Sequence, residues 1–245
     1  MFNIPTVLYE DGDVLVINKP AGLIVHFDGR NEEPSVVDWI QKNYPEIKGV
    51  GEDWVSPQGV SVARPGIVHR LDKTTSGVMV IAKNERAFQH LKAQFQNREA
   101  KKIYDALVYG HPKEDVGVIE AEIGRTKKKP RKWIASFAHG KTRAAITGWK
   151  VLGRYTDSES GEKIAHMELE PKTGRTHQIR VHLKAIHHPI VCDHLYAMHK
   201  ECILGFTRPA LHARSLSITL TTGEKKVFEA PLPEDFSEAL VKISP

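Results

Sequence analysis

Apolar and polar positions along the chain change period several times, and each period predicts a different element. From Tyr9 to Asn18 the sequence Y-E-D-G-D-V-L-V-I-N sets an Asp-Gly turn signal before a β-rich apolar run, which predicts a strand entering the core. That strand ends at Lys19-Pro20-Ala21-Gly22, where proline removes a ladder donor and glycine permits a chain reversal. Val36, Val37 and Ile40 share one helical face, so Ser35 to Tyr44 is expected to be a short helix, and Gly49 to Pro65 an irregular connection. Gly77 to Lys83 is apolar up to its closing lysine and predicts a buried strand. Asn84 then suits an N-cap, and Ala87, Leu91 and Phe95 at four-residue intervals predict a helix over Glu85 to Arg98.

Lys102 to Tyr109 alternates with apolar or aromatic residues on both faces, as in a strand covered on both sides. Val116 to Ile123, Ala144 to Leu152 and Ile164 to Leu169 are further strands by the same reading. Ile179, Leu183 and Ile186 place a helix over Thr176 to Ile186, with His177 and Arg180 close together on it. Leu216, Ile218 and Leu220 alternate as a late strand, and Glu234 to Ile243 reads as a closing helix behind Pro231 and Pro233. No repeat and no glycine-rich phosphate loop interrupts this order. The pattern is that of an α+β chain with sheet in its centre and scattered helices.

Composition narrows the classes. At 245 residues with 40% hydrophobic and 27% charged residues, the chain has the composition of a folded globular protein. Its apolar runs are too short to cross a bilayer, and Met1 to Tyr9 has no export pattern, so no membrane association and a cytoplasmic location are expected. The two cysteines, Cys192 and Cys202, form no C-x-x-C pair and are expected to be free thiols. Net charge is +5, but Arg125, Lys127, Lys128, Lys129, Arg131 and Lys132 supply six positive charges within eight residues; without them the balance would be −1. The basic character is local, and it suits either a solvated loop or contact with a polyanion.

Candidate chemistry gathers at His69-Arg70-Leu71-Asp72-Lys73-Thr74-Thr75-Ser76-Gly77, where polar groups abut a strongly apolar strand. With Asn18-Lys19-Pro20-Ala21-Gly22, Lys102-Ile103-Tyr104, Thr173 to Arg180 (T-G-R-T-H-Q-I-R) and Leu211-His212-Ala213, this stretch resembles the motifs of the RluA-type pseudouridine synthases, in the same order and over about residues 7 to 233. The resemblance implies the pseudouridine synthase fold, a mixed and mainly antiparallel sheet with flanking helices and a central RNA-binding cleft. It implies an RNA-modifying isomerase that needs no cofactor and no metal, breaks the N-glycosidic bond of a uridine, turns the uracil and rejoins it through carbon 5.

By the same resemblance Asp72 is the catalytic carboxylate, acting either as nucleophile on the sugar or as base on a ribose proton. Arg180 is implied as its salt-bridge partner, and Tyr104 as the aromatic that packs on the base and helps remove the carbon 5 proton. Arg70 is implied to fill the space of the extruded nucleotide or to touch its phosphate, with Lys102, Arg175 and His177 as further substrate contacts. Lys127, Lys128 and Lys129 are expected to bind RNA phosphates, with Trp133 available for stacking. Ile190-Val191-Cys192-Asp193-His194 departs from the G-D-P-like segment common in the family. A single catalytic domain over 1–245 with no separate N-terminal RNA-binding module, acting as a monomer on ribosomal or transfer RNA, completes the expectation. Two other classes compete. A noncatalytic RNA-binding protein would leave Asp72 and Tyr104 without a shared purpose. A metal-dependent hydrolase built on His177, His182 and Asp193 has poor ligand spacing, the two histidines being five residues apart.

Overall fold

The computed structural model describes residues 4–27, 33–55, 59, 61–126, 133–135 and 142–243. In chain order the strands are β1 (Thr6–Glu10), β2 (Val14–Lys19), β3 (Trp54–Val55), β4 (Ser61–Val62), β5 (Ser76–Ala82), β6 (Lys101–Tyr109), β7 (Val116–Glu120), β8 (Ile123–Arg125), β9 (Trp133–Ala135), β10 (Thr142–Arg143), β11 (Ile146–Thr156), β12 (Lys163–Pro171), β13 (Leu211–Thr219) and β14 (Lys225–Glu229). The α-helices are α1 (Val36–Asn43), α2 (Glu85–Asn97), α3 (Gln178–Ala185) and α4 (Glu234–Ile243). The chain divides into two compact units, one of residues 1–101 and 213–231, the other of residues 102–212 and 232–245.

The first unit is a sheet in the order β1, β2, β5, β13, β14, with α1 and α2 beside it. The Asp11 to Asp13 turn makes the start of the chain an antiparallel hairpin of β1 and β2, where the apolar pattern pointed only to the second strand. β2 pairs antiparallel with β5, whose seven residues are all buried, and complete burial of each aliphatic side chain there contributes about 1.5–3 kcal/mol. Asn84 caps α2 by accepting the Ala87 N–H at 3.0 Å, as its position before the apolar stripe predicts. Ala87, Phe88 and Leu91 of that helix are buried and pack it on β5. A Ser35–Asp38 capping box starts α1. Buried Gln94 gives its amide to Thr219 O and accepts Thr219 N–H, tying α2 to the end of β13.

The second unit holds the antiparallel order β6, β12, β11, β7 and a small sheet β10, β8, β9. The stretch expected as one strand over Val116 to Ile123 is therefore two, because Ala121 and Glu122 carry the chain from one sheet to the other. Its core joins Leu107, Met167 and Leu169 of the strands to Ile179 and Leu183 of α3 and Phe236 of α4. His182 lies fully buried between Thr147 Oγ1 (2.9 Å) and Ala121 O (3.2 Å), and burial pushes its imidazole below the ordinary histidine value. A neutral, internally bonded His182 is a structural residue and does not serve the hydrolase reading.

One expectation is corrected outright. Cys192 and Cys202 are joined as a disulfide and are not free thiols. Ten residues separate them in sequence, and the turns over 190–206 return the chain so that the two sulfurs meet; no local spacing pattern encodes that return.

Candidate active site

In the first unit the loop carrying Asp72 is held on both sides. Leu71 is buried, and the Asp72 carbonyl accepts the Thr75 N–H at 3.1 Å, closing a turn under the half-buried carboxylate. The next carbonyl, Lys73 O, accepts the Gly22 N–H at 2.8 Å and the Lys19 ammonium at 3.4 Å. Lys19 is fully buried, and its Nζ also donates to Pro20 O and Leu23 O, both at 2.8 Å. A buried ammonium is costly unless its donors are satisfied, and this ring of carbonyls satisfies them. Gly22, at φ +89°, makes the reversal that returns those carbonyls to the lysine. The Asn18 to Gly22 segment is thus a clip for the Asp72 loop.

Beyond the loop, Gly77 sits at φ +122°, and a Cβ there would stand 2.2 Å from Ala213 O. Only glycine lets β5 and β13 close next to the site. His69 accepts the Val80 N–H through Nε2 at 3.0 Å while its ring stacks on Phe95 at 4.5 Å, so the histidine of the motif is a spacer and not a free base. Arg70 is exposed. Burial holds the Arg64 guanidinium below the ordinary arginine value, and the like charge of Arg70 adds to the effect; Arg64 Nε is buried without a hydrogen-bond partner. Glu52 and Asp53 also act on Arg64 and partly offset the two positive charges.

In the second unit Tyr104 lies on β6 opposite Leu169 of β12, half-buried against the core. Lys102, two residues earlier on the same strand, is partly buried, and that burial lowers its ammonium from the ordinary lysine value. Neighbouring Asp105 is buried against His166 Nε2 at 3.0 Å.

The segment from Thr173 to Arg180 is organised by its own polar side chains. Gln178 Oε1 accepts the Thr173 hydroxyl at 2.7 Å and the Arg175 N–H at 3.0 Å, while its Nε2 donates to Ile146 O and Thr147 Oγ1. His177 is the N-cap of α3 in the left-handed region at φ 55°, and its Nδ1 lies 3.0 Å from the Tyr196 hydroxyl. The guanidinium of Arg180 sits over the same tyrosine ring at 5.1 Å. Its Nε and Nη2 each donate to a carboxylate oxygen of Asp193 at 2.8 Å, with Arg180 7% and Asp193 0% exposed. Asp193 Oδ1 accepts the N–H groups of Leu195 and Tyr196 as well, both at 3.1 Å. This bidentate partner was not foreseen: Asp193 was legible only in a segment that departs from the family and as a candidate ligand of the hydrolase reading, and Tyr196 not at all.

Arg175 lines an open cavity of about 410 Å³ with Arg125, Trp133, Arg143, Ile123 and Thr176. Its Nε donates to Ala144 O at 3.1 Å, and the Arg125 guanidinium stacks over the Trp133 ring at 4.9 Å. Three cations and an indole around an open space fit a phosphate with an adjoining base. Lys127, Lys128 and Lys129 lie outside the described residues. Of the expected site residues, Arg70 and Asp72 thus belong to the first unit and Lys102, Tyr104, Arg175, His177 and Arg180 to the second. Among the latter, His177 and Arg180 meet on Tyr196.

Residues 13–185 match the family model described as RNA pseudouridylate synthase. The chain is 39% identical over 241 residues to an uncharacterised RNA pseudouridine synthase of Synechocystis sp., covering 98% of this chain and 69% of that protein. It is 39% identical over 244 residues to the ribosomal large subunit pseudouridine synthase D of Neisseria meningitidis serogroup B, covering 96% of this chain and 60% of that one. Among solved structures, human RNA pseudouridylate synthase domain containing 1 aligns with a TM-score of 0.72 at 27% identity, over 94% of this chain and 84% of that one.

Proposed function

Since the chain belongs to the RNA pseudouridylate synthase family, we propose that it isomerises uridine in ribosomal or transfer RNA to pseudouridine, with Asp72 as the catalytic carboxylate. The reaction is an internal rearrangement. The bond from ribose carbon 1 to N1 of the uracil breaks, the base turns, a carbon–carbon bond forms at carbon 5, the carbon 5 proton leaves and N1 ends protonated. No electrons enter or leave, so amino-acid side chains suffice for it.

The family match over residues 13–185 carries the reading, and it runs through both compact units, which supports one catalytic domain over 1–245. The name of the Neisseria relative puts ribosomal RNA first among substrates, with transfer RNA second. We assign the acting species as a monomer in the cytoplasm. The test is pseudouridine mapping of RNA that lacks native modification after incubation with the purified chain; new pseudouridines at discrete positions are expected, and none at any position would sink the assignment.

Tyr104 and Arg180 join Asp72 as reaction partners in this reading. If Tyr104 moves the carbon 5 proton, Tyr104→Phe is expected to slow turnover by about 10²–10⁴-fold while leaving RNA affinity unchanged. Trapping the carbon 5 hydrogen isotope effect checks it: the effect grows in the variant when proton removal becomes limiting. A variant with wild-type turnover would reduce the tyrosine to a packing residue.

Arg70, Arg175, Lys102 and His177 are assigned to substrate contact, supported by the nearness of the Arg64 and Arg70 charges and by the arginine-lined cavity. Lys127, Lys128 and Lys129 extend the basic run. Replacing these three lysines by glutamine is expected to weaken RNA binding and to flatten the dependence of log affinity on log salt by about 2, at roughly 0.7 per phosphate contact on single strands. Filter binding over a salt series measures it, and an unchanged slope would place the lysines away from RNA.

A further inference from the structure

The turns that follow α3 bring together three side chains that the isomerisation does not use. Cys192 Sγ lies 3.7 Å from His194 Nε2, and Cys202 Sγ lies 4.0 Å from the same nitrogen. Among the described residues this is the one group of three or more cysteine, histidine or acidic side chains whose ligand atoms all fall within 4.8 Å of one another. Zinc bonds of ~2.3 Å to sulfur and ~2.1 Å to nitrogen place ligand atoms of a tetrahedron roughly 3.6 Å apart along an S–N edge. The Cys192 separation of 3.7 Å matches such an edge, and the Cys202 separation of 4.0 Å exceeds it slightly. A disulfide alone needs no imidazole at that distance from both sulfurs.

We propose that Cys192, His194 and Cys202, once the disulfide is reduced, form a three-ligand site for a soft or borderline divalent cation of the zinc class. The chemistry is balanced by a dithiol reductant, which becomes a cyclic disulfide while the protein gains two thiols. Those thiols release two protons as the cation binds. The sulfurs must then part from a bond of ~2.05 Å to ~3.8 Å. Cys202 is exposed and makes that movement possible, whereas Cys192 is 2% exposed and held in place, its Sγ 3.3 Å from Phe206 O. His194 ligates through Nε2 in the tautomer that carries its proton on Nδ1, giving up its 3.3 Å contact with Thr207 O. With both His194 and Cys202 exposed, the fourth position faces solvent and takes water or a further ligand.

The sequence argued against zinc because the two cysteines form no C-x-x-C pair. The closeness of the ligand atoms comes from the fold of 190–206. Thiolate and imidazole donors select zinc or cobalt over magnesium or calcium.

The test uses the full chain, stripped with a chelator, then divided into dithiol-reduced and oxidised samples and titrated with Co²⁺ and with Zn²⁺. Expected for the reduced chain are one equivalent of Co²⁺ with thiolate-to-cobalt charge-transfer absorption, and Zn²⁺ displacing it with a dissociation constant below about 1 µM. The oxidised chain is expected to show neither. Cys202→Ser and His194→Gln change exposed side chains and leave the core intact; each should weaken binding at least 10-fold, and Cys202→Ser should also reduce the charge-transfer band. Absence of the band in reduced protein, a disulfide that survives the dithiol, or wild-type affinity in either variant would overturn the proposal.

Discussion

Asp72→Asn is expected to lower pseudouridine formation by at least about 10⁴-fold without loosening the fold. An amide keeps the size and much of the hydrogen bonding of the carboxylate, but it can neither attack a sugar carbon nor take a proton at neutral pH. Backbone contacts hold much of the loop around it. Leu71 anchors one flank, and the Lys73 carbonyl, clasped by Gly22 N–H and the Lys19 ammonium, anchors the other. Denaturant midpoints should show the variant folded, with a stability loss of no more than about 2 kcal/mol. Pseudouridine mapping on unmodified RNA reads the activity, and RNA affinity is measured alongside. Residual turnover above about 1% would remove Asp72 from the centre of the reaction.

The second large effect concerns stability. Asp193→Ala is expected to cost about 3–5 kcal/mol, because it leaves the buried guanidinium of Arg180 without its bidentate carboxylate. The same carboxylate caps the N–H groups of Leu195 and Tyr196, so the turn beneath Arg180 loses its lock together with the charge pair. Urea unfolding reads this directly. The Asp193→Ala Arg180→Met double variant should recover part of the loss, since it no longer buries a guanidinium without that carboxylate. A loss below about 1 kcal/mol for Asp193→Ala, or no recovery in the double variant, would mean that Arg180 is held mainly by other contacts.

Legibility in the sequence followed how much each residue depends on distant chain. Where one face carried a strong apolar period, as in α2 and α4, or the run was apolar throughout, as in β5, the element was readable, α2 together with its cap. β1 and β14 were not, because each pairs with a single neighbour within its unit and shows mostly exposed or half-exposed positions, which leaves little pattern to read. The break between β7 and β8 was missed for a related reason: both pieces are apolar, and only the change of sheet separates them.

Asp72, Tyr104 and Arg180 could be named because ordered motifs single them out, yet no motif states what holds them. Lys19 stood in a quoted motif, but its role needs the reversal at Gly22 to turn three carbonyls towards one ammonium. Asp193 became visible only when the chain after α3 returned it beneath the arginine. The disulfide was missed on the same ground, since ten residues of separation say nothing about a closed loop. Partners set by chain reversal were hidden; positions set by local period were not.

The clip formed by Lys19 also fixes when during synthesis the Asp72 loop acquires its final frame. β5, which begins directly after that loop, is bordered by β2, made before it, and by β13, made more than a hundred residues after it. Gly77 lies against Ala213, so the last wall beside the loop arrives only with that late strand. A ribosome-bound chain that has emerged through α2 can already clasp Lys73 from Lys19, while the opposite side of β5 stays open until β13 is out. Maturation of the Asp72 loop is thus tied to near-completion of the chain, and a nascent fragment ending before Ala213 would carry every residue of the Asp72 motif without its finished setting.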